Sequence, residues 1–290
     1  MHAAVSIAPL ELVPATVAGI LYALRAHRLR ERGRPVPGWR QACFHGGLLL
    51  VVLALTALGD LAGETFVWHM TEHLLLGDVA TFLLVLGLTG PLLAPILRTR
   101  LLGPLRLLSN PLVALSLWAA NLYLWHLAPL HEAAVRHEGV HALQHALFVA
   151  GGMAMWMPLF GPLPQPAWFG NLAKLVYIVA VRLIGAVLGN VIVWSGTVLY
   201  PVYGELVADQ TTAGAIMMVE SSLLTLGLFG WLFVKAARES EERQQLLELA
   251  QRRGVEVSER RVARAVAAGR GGELRHRIED AAVDGGPRSG

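Results

Sequence analysis

The segment Phe66–Leu97 reads FVWHMTEHLLLGDVATFLLVLGLTGPLLAPIL, and this stretch decides the fold class. It is longer than the roughly 20 helical residues that cross the apolar core of a bilayer. A segment in lipid must satisfy its own backbone hydrogen bonds, so the stretch is predicted to be a transmembrane helix. Gly90, Pro91 and Pro95 predict a kink or a helix end near its inner side, because proline removes an amide donor and clashes with the preceding turn.

Six more apolar stretches are long enough, or nearly so, to cross the membrane. They are Ser6–Leu24, Ala42–Ala62, Leu112–Leu130, Val140–Phe160, Leu172–Tyr200 and Ala213–Val234. The chain is 54% hydrophobic and only 16% charged, whereas about a quarter of the residues in a soluble domain are charged. The sequence does not show the ten-residue alternation that is typical of a membrane β-barrel. It therefore predicts an all-α, polytopic membrane protein with about seven transmembrane helices.

The basic residues of the connections predict the orientation, since cytoplasmic loops are enriched in arginine and lysine. The first connection, the third connection and the segment after the last span are rich in them, whereas the even-numbered connections carry only Arg136. The N-terminus is therefore predicted to lie outside and the C-terminus in the cytoplasm. The basic residues concerned are Arg25, Arg28, Arg30, Arg32, Arg34, Arg40, Arg98, Arg100, Arg106, Lys235, Arg238 and Arg243.

The chain is predicted to divide into a transmembrane domain at residues 1–236 and a cytoplasmic tail at residues 237–290. Glu239–Ala268 predicts a charged helix, and the Gly-rich end from Gly269 predicts disorder. The net charge of +3 does not indicate nucleic-acid binding, because the arginines lie in short loops and in the tail. Cys43 is the only cysteine, which excludes an internal disulfide and a thiolate-rich zinc or iron–sulfur site.

Histidines gather at the predicted outward face, where the topology places seven of the eleven. His69 and His73 begin the third span, and His141 and His145 begin the fifth. Each pair is four residues apart, so its two imidazoles lie on one helix face. Imidazole suits zinc, copper, iron and nickel. Two such pairs on facing helices predict a shared metal site, with His126 from the fourth span as a fifth ligand.

Other residues near this face are interpreted as lying outside the site. His131 is assigned to the outer loop, away from both histidine pairs, and His137 is expected to precede the fifth helix. Met70, Met217 and Met218 are interpreted as packing residues rather than as thioether ligands of copper.

The run His69–His73 also matches H-x-x-E-H, the inverted zinc-peptidase signature, in which Glu72 would be the general base. Five residues are a weak signal, and the later pair His141–His145 encloses Gln144 but no glutamate. A membrane zinc peptidase is therefore a minor alternative.

Charged residues also occur within the predicted spans, where they are costly unless they are paired or functional. Asp78 and Arg182 reach similar depths in the third and sixth spans, so they are predicted to form an ion pair. Glu220, in the seventh span, is interpreted either as structural or as part of a metal or proton path.

Four ordered motifs resemble the CtaG family, the multi-span bacterial cytochrome c oxidase assembly factors, over roughly residues 40–235. This family is unrelated to the single-span copper chaperone that shares its name. The motifs are His69–Leu76 with Gly87 and Pro91, then Trp125–Leu127, then His141–His145 with Gly151, Trp156 and Pro158, and finally Leu199–Pro201 with Asp209, Gln210, Ala213 and Gly214.

The resemblance implies a multi-pass protein of the bacterial plasma membrane that helps to make active caa-type cytochrome oxidase and is not an enzyme. It implies action through copper at the copper–haem centre of oxidase subunit I. It also implies that Asp209 and Gln210 order the loop over the site. Glu220 departs from the pattern, because an apolar or small residue is expected there, and Glu72 stands at a variable polar position. The motif histidines, which are the implied metal ligands, are His69, His73, His126, His141 and His145.

The residues and the resemblance together predict transient copper binding at the outer face, with subunit I and a copper chaperone as partners. Zinc is the alternative ion. A haem-binding membrane cytochrome is a second hypothesis, which a Soret band would favour. A copper permease is a third, but the polar residues below the outer third make a poor path. Metal binding is expected to fall as the pH drops through about 6.5, where imidazole protonates.

Overall fold

The computed structural model describes residues 9–99, 107 and 109–284. These residues form helices joined by short connections, and no strand occurs among them. We number the α-helices in chain order. They are α1 (Pro9–Glu31), α2 (Gly38–Ala62), α3 (Phe66–Gly87), α4 (Gly90–Arg98), α5 (Pro111–Trp125), α6 (Ala128–Arg136), α7 (Glu138–Phe160), α8 (Asn171–Trp194), α9 (Val207–Arg252), α10 (Glu259–Ala267) and α11 (Gly271–Asp284).

Five of these helices, α2, α3, α7, α8 and α9, are long and apolar enough to cross a bilayer. The pair α5 and α6 would add a sixth span if the two helices are counted together. The prediction of an all-α membrane protein is confirmed, with five or six candidate spans instead of seven among the described residues. The predicted first span, Ser6–Leu24, falls in α1 from Pro9 onward, and its first three residues lie outside the described residues. Helix α1 is charged near both ends, at Glu11 and at Arg28 and Arg30, and is not among the helices that are apolar enough to cross a bilayer.

The third span is shorter than the predicted Phe66–Leu97. Helix α3 ends at Gly87, the next two residues are extended, and α4 begins at Gly90 with Pro91 in its first turn. The predicted break at the glycine and prolines is thus confirmed, since proline fits the first turn of a new helix but not a helix interior. The carbonyl of Gly87 accepts a hydrogen bond from the Tyr22 hydroxyl at 3.0 Å, which satisfies one free group at the helix end.

The fourth predicted span, Leu112–Leu130, is wrong as a single helix. Helix α5 ends at Trp125, and α6 starts at Ala128 after a bend of 71°. Pro129 lies in the first turn of α6, where its missing amide hydrogen costs nothing. The bend moves His131 from the predicted loop onto a helix.

Close helix packing brings α3 and α7 together near their middles. A Cβ atom on Gly152 of α7 would collide with the carbonyl oxygen of Gly77 and come within 2.6 Å of Thr81 Oγ1 on α3. Likewise, a Cβ atom on Gly47 of α2 would lie 2.8 Å from the carbonyl oxygen of Ala80. Because these glycines have no side chain, the backbones of α2 and α7 can each approach the backbone of α3 closely.

Helices α2 and α3 each contain a π-helical turn, at Ala54–Leu58 and Leu75–Ala80. Such turns carry an extra residue and are frequent at functional sites. The second begins two residues after His73 and contains Asp78, so it lies between the histidine pair and the rest of α3.

The chain divides into two compact units, Met1–Thr225 and Leu226–Gly290. The functional boundary at residue 236 stays a prediction. The Gly-rich end from Gly269 was predicted to be disordered. In the structure, residues Gly271–Asp284 of this end form α11. An apolar cluster accounts for its folding. Its buried members are Leu246, Ala250, Val262, Val266, Leu274 and Ile278.

Candidate metal centre

The first histidine pair lies on the opening turns of α3, whose start is held by two caps. The Thr65 hydroxyl accepts a hydrogen bond from the amide of Trp68 at 3.3 Å. The Asp209 carboxylate accepts hydrogen bonds from the amides of Phe66, at 2.8 Å, and Val67, at 3.3 Å. These contacts satisfy amides that a helix start leaves free, and a carboxylate is favoured there by the helix dipole. The caps therefore fix the turn that presents the histidines.

The second pair lies on the opening turns of α7, which begins one residue after His137. The expectation that His137 precedes the helix is confirmed, and its side chain is exposed. His141 and His145 share one face, with ring centroids 4.0 Å apart. The two pairs face each other because α3 and α7 pack closely at their glycines.

His69, His73 and His141 bring their ring nitrogens together. Each offers one nitrogen atom, and the three atoms lie within 4.8 Å of one another. The ring centroids of His69 and His73 are 4.2 Å apart, and those of His69 and His141 are 5.2 Å apart. His69 and His73 are 1% and 5% exposed, whereas His141 is partly exposed.

The donors in this group fit a transition-metal ion. Nε2 of His69, both ring nitrogens of His73 and Nε2 of His141 are buried and have no hydrogen-bond partner among the described residues. Buried polar atoms without a partner are costly, and a bound ion is one arrangement that would satisfy them. Neutral imidazole nitrogens are good ligands for copper and zinc. We call this group the three-histidine position.

His145, predicted as the fourth ligand, lies beside the three-histidine position but faces two carboxylates. Its Nδ1 lies 3.0 Å from Oε2 of Glu11, and its Nε2 lies 3.4 Å from Oε1 of Glu72. Glu72, His141 and His145 form a second group whose donor atoms lie within 4.8 Å of one another. Glu11 gave no signal in the sequence, and Glu72 was assigned to a variable position although the H-x-x-E-H pattern contained it.

His126, predicted as the fifth ligand, is in neither group of close donors among the described residues. It ends α5, and its Nδ1–H donates to the carbonyl of Leu122 at 2.7 Å. This hydrogen bond leaves Nε2 as the lone-pair nitrogen, which is buried and has no partner in the described part of the chain. A role for His126 as a ligand therefore stays a prediction.

The assignment of His131 to a loop away from the pairs is wrong. It lies on α6, is fully buried, and its ring centroid is 4.7 Å from that of His69. Its Nε2 lies 3.1 Å from the Tyr203 hydroxyl. Burial raises the pKa of Tyr203, so its hydroxyl stays protonated and can donate this hydrogen bond. The sequence signal that was missed is Pro129, which opens α6.

Gln210 orders the loop that follows α8. Its side-chain oxygen accepts from the amide of Leu199 at 2.7 Å, and its amide group donates to the carbonyl of Thr197 at 3.0 Å. The loop places the Tyr203 ring against His69, with centroids 5.8 Å apart. Gln210 thus orders the loop beside the site, as the resemblance implied, while Asp209 caps α3.

Met70 and Met217 are packing residues, as predicted. Both are buried in an apolar cluster with Phe66 and Tyr200, on the side of α3 that faces α8 and α9.

The predicted ion pair of Asp78 and Arg182 is confirmed. Arg182 Nη2 lies 3.7 Å from Asp78 Oδ1, and Nη1 lies 3.9 Å from Glu220 Oε2. The guanidinium also lies 5.5 Å from the ring centroid of Trp156. Glu220 is therefore part of a buried network in which one cation faces two carboxylates.

One family of known proteins matches most of the chain. The family described as cytochrome c oxidase caa3 assembly factor (Caa3_CtaG) matches residues 20–239, about three quarters of the chain. This range includes α3, α7 and both groups of donor residues. No curated protein and no solved structure matches the chain. The extent of the family match shows that the chain belongs to the cytochrome c oxidase caa3 assembly factor family.

Proposed function

We propose that the protein serves oxidase assembly by holding copper transiently at the three-histidine position and passing it on as cargo. The recipient would be the copper–haem centre of oxidase subunit I, and a copper chaperone would supply the ion. The observation that carries this proposal is the convergence of His69, His73 and His141, whose ring nitrogens lie within 4.8 Å of one another. Membership of the oxidase-assembly family supplies the process.

The chemistry of the donors suits a carrier. Three neutral imidazoles bind copper. Because this group contains no counter-charge, the charge of the buried ion is left uncompensated, which keeps the affinity moderate and lets the ion exchange. Of the three, only His141 is partly exposed, which makes it the place where an ion would exchange between this protein and a partner. We propose that this protein is a carrier and not an enzyme.

The proposed topology puts this site at the outer face of the bacterial plasma membrane. It counts α1 as a span and the bent pair α5–α6 as another, which gives seven. The arginine-rich connections then lie inside, the N-terminus outside and the C-terminus in the cytoplasm.

A haem-binding cytochrome is a weaker candidate. A haem between two axial histidines needs a slot between their rings wide enough for the macrocycle. In this cluster the imidazoles pack on one another, with the rings of His73 and His145 only 5.7 Å apart and those of His141 and His145 only 4.0 Å apart.

The proposal is tested in cells that lack the native protein and express variants. His73→Ala and His141→Ala should leave oxidase subunits in the membrane but lower caa3 oxidase activity, because each change removes a copper ligand. Added copper should partly restore the activity. Protein levels in the membrane are measured in parallel, so that loss of folding is recognised.

His137→Ala is the matched control, because this histidine is exposed and lies one turn before His141. It should keep normal oxidase activity. Full activity in both His73→Ala and His141→Ala, at normal protein levels, would contradict the proposal.

A further inference from the structure

The carboxylate of Glu72 lies inside the protein without a hydrogen-bond partner among the described residues. The residue is 0% exposed, and neither of its oxygens has a hydrogen bond among the described residues. Oε1 lies 3.4 Å from Nε2 of His145, but without hydrogen-bond geometry. A buried carboxylate in this state is strongly unfavourable unless a cation accompanies it.

The groups around Glu72 are arranged as metal ligands. Glu72, His141 and His145 each offer one donor atom, and these atoms lie within 4.8 Å of one another. The other nitrogen of His145, Nδ1, lies 3.0 Å from the carboxylate of Glu11. A carboxylate on the far nitrogen is the usual outer partner of a metal-binding histidine, since it orients the ring and leaves the near nitrogen for the ion.

Charge distinguishes this group from the three-histidine position. The three-histidine position contains only neutral donors, whereas this one contains Glu72 and has Glu11 behind it. At most one imidazolium, that of His145, could face these two carboxylates. Two imidazoles and one carboxylate form a donor set that zinc and other divalent transition ions accept.

We propose that Glu72, His141 and His145 form a second ion position, selective for a divalent transition-metal ion, with Glu11 as the residue that positions His145. It adjoins the three-histidine position and shares His141 with it. This site goes beyond the proposed copper function. It can be tested separately, because its ligands differ from those of the three-histidine position and include a carboxylate, which favours a divalent ion.

The test uses the purified, full-length, metal-free protein in detergent and Zn²⁺ as the probe. The double change His69→Ala/His73→Ala removes the three-histidine position, and this variant should still bind Zn²⁺. Adding Glu72→Gln to it should abolish binding. Adding Glu64→Gln instead is the control, because Glu64 is exposed and is in neither group of close donors. Adding Glu11→Gln should weaken binding by about 10–100-fold, as loss of an outer carboxylate does.

Single changes in the otherwise native chain provide a second measurement that does not depend on the double variant. Glu72→Gln should retain anaerobic Cu(I) binding while its Zn²⁺ affinity falls, and His73→Ala should show the opposite pattern. The inference is overturned if the double variant is folded but binds no Zn²⁺, or if Zn²⁺ binding by the double variant survives the added Glu72→Gln change. Failure of Cu(I) binding alone would overturn the copper proposal and leave this one standing.

Discussion

Arg182 is the only basic residue in a buried network with Asp78 and Glu220 among the described residues, at N–O distances of 3.7 and 3.9 Å. A charge inside a membrane span is costly unless it is paired. Asp78 lies in the π-helical turn of α3, and Arg182 lies on α8. With Glu220 on α9, the network joins three helices. Only the loss of Arg182 would leave its buried carboxylates without a counter-charge.

Removal of Arg182 is expected to harm stability more than removal of either carboxylate. Arg182→Met leaves two buried carboxylates without a counter-charge and should cost about 3–5 kcal/mol, as loss of one partner of a buried ion pair does. Asp78→Asn should cost less, since Glu220 still faces the guanidinium. Unfolding in detergent micelles measures these differences.

The combined variant Asp78→Asn/Arg182→Met/Glu220→Gln should be more stable than Arg182→Met alone, because it removes the charges together. If the combined variant is as unstable as the single one, the three residues do not act as an ion network. If all are stable yet oxidase assembly fails, the residues have a direct functional role.

The sequence predicted the site residues best where helical periodicity decides which side chains meet. The spacing of His69 with His73, and of His141 with His145, needs only a helix to bring each pair together. His131 was missed because its position depends on the bend before Pro129. Glu72 was missed because the residue beside its carboxylate, His145 on α7, lies far away in the sequence.

At the level of elements, the approach of α3 and α7 brings the two histidine pairs together. Gly152 and Gly77 allow this approach, because a Cβ atom on Gly152 would collide with the Gly77 carbonyl. Separation of these backbones would move His141 away from His69 and His73.

Gly152→Ala is therefore expected to weaken both stability and metal binding. The added methyl group should cost about 1–3 kcal/mol or more, as overpacking of a tight interface does. Thermal unfolding and copper content of the purified variant measure the two effects.

Gly139→Ala provides the control on the same helix, because nothing lies within 4 Å of a Cβ atom at that position. It should leave metal binding unchanged. Equal copper binding by Gly152→Ala and Gly139→Ala would show that close packing of α3 and α7 does not build the site.

Element boundaries were less predictable than element type. Apolar length predicted helices throughout, and the prolines predicted the end of α3. The exact break at Leu88 and the bend of 71° after Trp125 are not given by the prolines, which mark where a new helix can begin but not its angle to the one before. The order of α11 depends likewise on an apolar cluster drawn from three helices.

At the scale of the whole molecule, the proposed topology can be checked directly. Reporter fusions in residues 132–138 should report an outside location, whereas fusions in residues 28–34 and after Arg243 should report an inside location. The physical reason is the concentration of arginine in the inner connections. The opposite pattern would put the histidines on the cytoplasmic side and remove the copper proposal as stated.

The most direct test of the central claim is the copper bound by the purified, full-length protein under reducing, anaerobic conditions, measured together with its X-ray absorption spectrum. We expect about one copper ion per chain at the three-histidine position. The absorption spectrum should show scattering from imidazole nitrogen ligands around the copper. The ion should be lost in His69→Ala/His73→Ala and kept in His137→Ala. Copper occupancy and ligand scattering that are unchanged in the double variant, or a native protein that binds no copper, would contradict the account.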